Sequence, residues 1–143
     1  MAQRVDPYRS FNFRAEIEGI AEASFSECSG LGSSVDVVEY REGGDSSLSV
    51  RKLAGIRKFP NLTLKRGITQ NKELYSWHRK ILDGEMDRRN GSIILLDDHR
   101  QEVLRWDFHN GWICKYEGPT LNGKSSEVAI ETIEICHEGL ELA

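Results

Sequence analysis

The apolar positions of this chain recur mostly at a period of two. In FNFRAEIEGI, Phe11, Phe13, Ala15 and Ile17 alternate with Asn12, Arg14, Glu16 and Glu18, as in a strand with one buried face. ASFSECSGLG follows as a short strand ending in a glycine turn. SVDVVEYRE, from Ser34 to Glu42, alternates but slips parity between Val37 and Val38; a β-bulge there would keep Val35, Val37 and Tyr40 on one surface. Gly43 to Ser47 predicts a flexible turn, LSVRKL a returning strand, Ala54 to Pro60 a loop, and NLTLKRGI a further strand.

One helix interrupts the β pattern. Leu74, Trp77, Ile81 and Leu82 form an apolar face, with Asn71 as N-cap, Glu73 in the first turn and Gly84 as the left-handed stop. Lys72, His78, Arg79 and Lys80 fall on its other sides. Asn90-Gly91 then signals a hairpin turn. SIILLDD, QEVLRWDF, GWICKYEGP and EVAIETIEI read as four more strands, with Asn122-Gly123 as another hairpin and a second parity slip between Thr132 and Ile133. About nine short strands and one helix predict a mainly β fold, a sandwich or barrel of two packed sheets with a flanking α-helix.

Length fits a single domain, residues 1–143, with a projecting basic arm at about 43–60. No apolar run approaches the roughly 20 residues of a membrane span, and MAQRVDPYRSF lacks the apolar core of a signal peptide. The net charge of −4 disfavours general nucleic-acid binding, but charge is segregated. Arg51, Lys52, Arg57, Lys58, Lys65 and Arg66 crowd one stretch without an acid. Glu127, Glu131, Glu134, Glu138 and Glu141 crowd the C-terminal segment without a base. Such patches suit contact between identical copies, or pairing within one fold.

Catalytic motifs are missing from the sequence. Asp97, Asp98 and His99 sit where turn residues are expected. Asp107 and His109 share a strand face without a third partner, and Cys28 has no histidine nearby in sequence. Cys114, Cys136 and His137 match no tetrahedral zinc spacing, and reduced thiols are the default for these three cysteines. Nucleotide-binding glycine motifs are absent, so neither enzyme nor cofactor is expected. Trp77, Trp106 and Trp112 fit core positions; as base-stacking platforms they would instead suit a single-stranded nucleic-acid-binding β-barrel.

The ordered set DPYRSFNFRAEIEG, ASFSECSGLG, EYREGG, RKLAGIRKFPNLTLKRGIT, WHRKILDG, RRNGSIILLDDHRQEVLRWDFHNGWICKYEGP and EVAIETIEICHEGLEL resembles the inner tube proteins of contractile phage tails and phage-tail-like injection systems, from about Asp6 to Leu142. The resemblance implies a small protomer that forms hexameric rings, which stack into a hollow tube inside a contractile sheath. Implied partners are other copies, the sheath, baseplate or spike and terminal cap proteins, and luminal cargo or a tape-measure protein. It also implies assembly in the bacterial cytoplasm, as part of a particle that can be released. This chain carries Ala54-Gly55 where the family often has proline before the glycine, and Trp112-Ile113 where it often has Trp-Pro.

Within that architecture, Ser34 to Glu42, Leu48 to Leu53 and Asn61 to Ile68 are expected to build a barrel shared between protomers. Leu62 and Leu64 would face the protomer, leaving Asp36, Asn61, Thr63 and Lys65 for the lumen. Arg51, Lys52, Arg57 and Lys58 are expected at contacts between rings or subunits, with Glu138 and Glu141 as acceptors.

Overall fold

The computed structural model describes residues 4–20 and 24–143. Residues 1–3 of the N-terminal stretch, and Ala23 at the head of the second predicted strand, lie outside the described residues. Nine strands and one helix follow in order: β1 (Phe13–Ile17), β2 (Glu27–Ser29), β3 (Ser34–Tyr40), β4 (Arg51–Lys58), β5 (Leu62–Gly67), α1 (Glu73–Leu82), β6 (Arg89–Leu96), β7 (Glu102–Glu117), β8 (Ile130–Cys136) and β9 (Gly139–Leu142).

The strands form two layers that share β7. Its first half pairs with β6 and β9, and β6 pairs with β1; its second half leads through β8 and β5 to β2. Ala15, Ile17, Ile93 and Phe108 of the first layer meet Leu62, Leu64, Ile113, Ile133 and Ile135 of the second in one core, closed by Leu74 and Trp77 of the helix. This is the predicted β-sandwich with one flanking helix.

QEVLRWDF and GWICKYEGP are one strand of 16 residues rather than two. Asn110, at a φ of 55°, absorbs the bend between layers without ending the strand. Its amide donates to Asn90 Oδ1 at 3.1 Å, and its Nδ2 donates to Glu138 Oε2 at 2.8 Å. Asn90-Gly91 is no hairpin: both residues lie in β6, where a Cβ on Gly91 would stand 2.5 Å from the Phe108 ring. The final strand is shorter than predicted and is followed by β9. Pairing with β7 stays in step across that junction, from Trp112↔Cys136 to His109↔Gly139.

The second predicted parity slip disappears. Glu131, Ile133 and Ile135 all point inward in unbroken alternation, as do Leu62, Leu64 and Arg66. A glutamate and an arginine thus occupy core positions, paired with each other.

The helix starts at Glu73, and Asn71 caps it from one position further out, with Oδ1 accepting from the Glu73 amide at 2.9 Å. Gly84 takes the predicted left-handed conformation at a φ of 87°. Leu82 is exposed, and His78 is buried instead of facing outward. His78 Nδ1 lies 3.0 Å from the Ile113 carbonyl. Because a carbonyl only accepts, Nδ1 carries the proton and ties α1 to β7.

Candidate assembly surface

The feature that stands apart from the sandwich is β3 and β4. Among the described residues they pair only with each other, and neither touches another strand or the helix. Ala54 to Lys58, read from sequence as loop, is strand throughout; Leu48 to Val50, read as strand, precedes it. Asn61 to Ile68 does not share this ribbon sheet, because β5 lies inside the second layer between β8 and β2.

The ribbon is the outer half of one long hairpin. β2 pairs with β5 as Glu27↔Lys65 and Ser29↔Thr63, and the same register continues into Ser34↔Lys58 and Val35↔Arg57. Between the halves Gly30, at a φ of 93°, presses against the Asn61 backbone, where a Cβ would stand 2.1 Å from the carbonyl oxygen. Only glycine fits there. The irregularity falls between Val35 and Val37, one step earlier than predicted, and its extra residue belongs to β4, where Gly55 and Ile56 stand opposite the single residue Asp36.

Directly opposed residues share a sheet face. Val38↔Leu53 and Tyr40↔Arg51 lie on one face, and Val37↔Ala54 and Glu39↔Lys52 on the other. Along β3, which has no extra residue, Ser34 and Asp36 join the first face and Val35 the second, and their partners follow, Lys58 on the first and Arg57 on the second. The first carries Val38, Tyr40 and Leu53 beside Arg51 and a charge pair, with Lys58 Nζ 3.1 Å from Asp36 Oδ2; the second carries Val35, Val37 and Ala54 beside Glu39, Lys52 and Arg57. Every ribbon residue except Asp36 and Gly55 is exposed. Val37 is 62% exposed, Val38 49%, Leu53 50% and Ile56 72%. An isolated two-stranded ribbon is only marginally stable in water, and unpaired strand edges invite another chain.

Other charges settle differently from the sequence reading. Arg66 is buried against Glu131, not part of an exposed arm. Lys65 reaches Glu27 at 3.7 Å, and Arg51 reaches Asp45 at 3.0 Å in the ribbon tip. Lys52 and Arg57 make no ion pair among the described residues. Asn61, Thr63 and Lys65 lie on the face of β5 opposite Leu62 and Leu64, with Asn61 Nδ2 3.5 Å from Glu134 Oε1. Glu138 is held by Asn110, and Glu141 stands across from Asp107 on β7.

The residues considered for chemistry have structural partners. Asp97 Oδ1 accepts the amides of His99 and Gln101 at a tight turn. Asp107 takes the Ser92 hydroxyl rather than His109. Burial raises the Cys28 thiol to about 11, and burial followed by the neighbouring Cys114 raises Cys136 to about 11, so both are poor nucleophiles at neutral pH. His137 places Nδ1 3.1 Å from the Gly139 carbonyl and Nε2 3.2 Å from the Pro60 carbonyl. Among the described residues no group of three His, Cys, Asp or Glu side chains is placed to hold a metal ion, and no helix is long and apolar enough to cross a membrane.

The chain belongs to the T4-like virus tail tube protein gp19 family, whose model matches residues 9–141. Its fold matches a chain in the cryo-EM structure of the anti-feeding prophage baseplate, with a TM-score of 0.86 at 23% identity, covering 98% of this chain and 97% of that one. A chain in the extended sheath–tube complex of the PVC extracellular contractile injection system gives 0.85 at 23% identity, covering 96% and 91%. Hcp1 from Flavobacterium johnsoniae is more distant, at 0.57 and 15% identity, covering 91% and 93%. No curated protein matches the sequence.

Proposed function

We propose that copies of this tail tube protein close into hexameric rings, which stack into a hollow conduit inside a contractile sheath and act without catalysing a reaction. The observation that carries this reading is the β3–β4 ribbon, exposed on both faces and unpaired on both outer edges. Pairing those edges with neighbouring copies removes the hazard they pose to a lone protomer. Asp36 of the ribbon, together with Asn61, Thr63 and Lys65, faces the lumen, and cargo meets these polar side chains. Arg51, Lys52, Arg57 and Lys58 reach acids of adjacent copies, Glu138 and Glu141 among them.

Sheath, baseplate or spike, terminal cap and luminal cargo or tape-measure protein complete the partner set. The similar folds in a baseplate, a sheath–tube complex and a tube-terminating cap support it. Synthesis and assembly take place in the bacterial cytoplasm, and the finished particle can be released. The single-stranded nucleic-acid alternative finds no support in the family or in the fold matches.

Negative-stain electron microscopy of the purified protein, beside its mass in solution, tests the reading. Rings or stacked tubes are expected. A monomer at every concentration and salt, even with baseplate components added as nuclei, would overturn it.

A further inference from the structure

Cys114 and Cys136 lie on neighbouring strands, and pairing of those strands brings their side chains together. Trp112 stands opposite Cys136 on the β7–β8 ladder, and Ile113 opposite Ile135. The register then slips: Lys115 stands opposite Glu134, so Cys114 is an extra residue in β7. Such a bulge adds a residue without a full step along the partner strand, and Cys114 stays near the level of Cys136. Both thiols lean across the gap between the strands. Cys114 Sγ donates to the Glu134 carbonyl at 3.5 Å, and Cys136 Sγ to the Trp112 carbonyl at 3.8 Å. Asn61 Nδ2, on the face of β5 away from the core, donates to Cys114 Sγ at 3.6 Å, which places the pair on the outer face of the second layer. Burial first, then the charge and the hydrogen bond of the Cys114 side chain, hold the Cys136 proton in place. The two sulfurs are direct neighbours.

We propose that Cys114 and Cys136 form a redox site, a dithiol that closes in oxidising surroundings into a cross-strand disulfide stapling β7 to β8. Neither residue is fully buried, so a small oxidant reaches them. The oxidant class is a low-molecular-weight disulfide. One protein thiol gives up its proton and attacks a sulfur of the oxidant, whose S–S bond breaks. A mixed disulfide forms, and the departing thiolate takes up the proton. The second protein thiol then gives up its proton and attacks the protein sulfur of the mixed disulfide, releasing the other half of the oxidant as a thiol. Two protein thiols are oxidised, and one small disulfide is reduced to two thiols. The bridge closes a loop that contains the whole β7–β8 connection, and such a cross-link restricts the unfolded chain more than the folded one. Cys28 does not compete. It stands opposite Leu64 on β2, with β5 between it and β8, and packs against the core.

Mixtures of oxidised and reduced glutathione, applied to the purified full chain, test the site. As the oxidised share rises, free thiols are expected to fall from three to one, with the intact mass lower by two hydrogens. A peptide map should join Cys114 to Cys136, and dithiothreitol should restore all three thiols. Cys28→Ser is expected to keep the bridge. Cys114→Ser and Cys136→Ser are each expected to abolish it while retaining the parent's circular dichroism. The bridged protein is expected to melt at least about 5 °C above the reduced one. Three free thiols at every glutathione ratio, glutathione adducts on Cys114 and Cys136 that never resolve, or a bridge through Cys28 would overturn the site. A bridge that leaves the melting temperature unchanged or lower would overturn its role as a staple.

Discussion

Arg66 and Glu131, from the basic and acidic clusters of the sequence, form a buried ion pair between β5 and β8, with Nε 2.5 Å from Oε1. Tyr116 donates its hydroxyl to the other carboxylate oxygen at 2.6 Å, and Arg66 Nη2 donates to the Asn71 carbonyl at 3.2 Å. Desolvation of the Tyr116 hydroxyl, with this carboxylate beside it, pushes its pKa to about 12, so it remains a donor at all ordinary pH.

Removing one partner strands the other charge in the core. Glu131→Ala is expected to lower stability by about 3–5 kcal/mol, whereas the double change Arg66→Met, Glu131→Leu costs far less, because apolar residues of similar volume need no counter-charge. Urea unfolding of the three proteins measures this. Equal losses in the single and double variants would show that packing rather than charge carries the effect.

Gly30→Ala tests the junction between the halves of the hairpin. A side chain there meets both an unfavourable φ and the Asn61 carbonyl, so a loss of at least about 1–3 kcal/mol is expected. Gly43→Ala in the ribbon tip, where a Cβ meets nothing within 4 Å, should stay within about 0.5 kcal/mol of the parent. Thermal melts of the two variants side by side decide it.

Reversing Arg57 and Lys58 to Glu should leave the protomer folded while impairing tube growth. Both side chains are exposed, and the Lys58–Asp36 contact is a surface pair worth at most about 1 kcal/mol. Tubes of normal length on electron micrographs of the double variant would remove these charges from the contact.

His137 gives the fold a pH dependence of known sign. Burial holds its pKa below the ordinary histidine value, with His109 adding to the effect and the carbonyls of Pro60 and Gly139 opposing it. A folded-state pKa below the unfolded one contributes stability that is complete above about pH 6.5 and is lost as pH falls through the folded value. The stability difference between wild type and His137→Gln should therefore shift against the wild type between pH 7.5 and pH 5. A difference that stays constant over that range would refute the assignment.

Much of this was legible in the sequence, and the failures share a cause. The alternation around Leu62 and Leu64 located β5 and its inward face because side chains in a strand must alternate. The same alternation in β8 looked broken because one inward position is Glu131, whose partner lies 65 residues away. Asn110 and the Asn90-Gly91 pair carry turn chemistry, yet long-range contacts hold both inside strands: Asn90 to the bend of β7, and Gly91 under Phe108. His78 followed the wrong face because its partner is a backbone carbonyl, which leaves no mark on side-chain pattern. The second half of β4, Ala54 to Lys58, read as loop because Gly55 and dense charge weaken a strand signal. Its register, continuous with β2 and β5, is a property of pairing rather than composition.

That continuous register also bears on how fast assembly begins. The inner half of the hairpin is held by the sandwich, whereas the outer half rests on its own cross-strand pairing. On the ring reading, the first contact between free protomers must therefore restrict two such ribbons at once. A protomer that adds to an existing ring meets a neighbour already set in place. Growth from a preformed end is favoured over spontaneous initiation, so a cell can hold a pool of free protomers and decide where a tube starts by supplying the first ring.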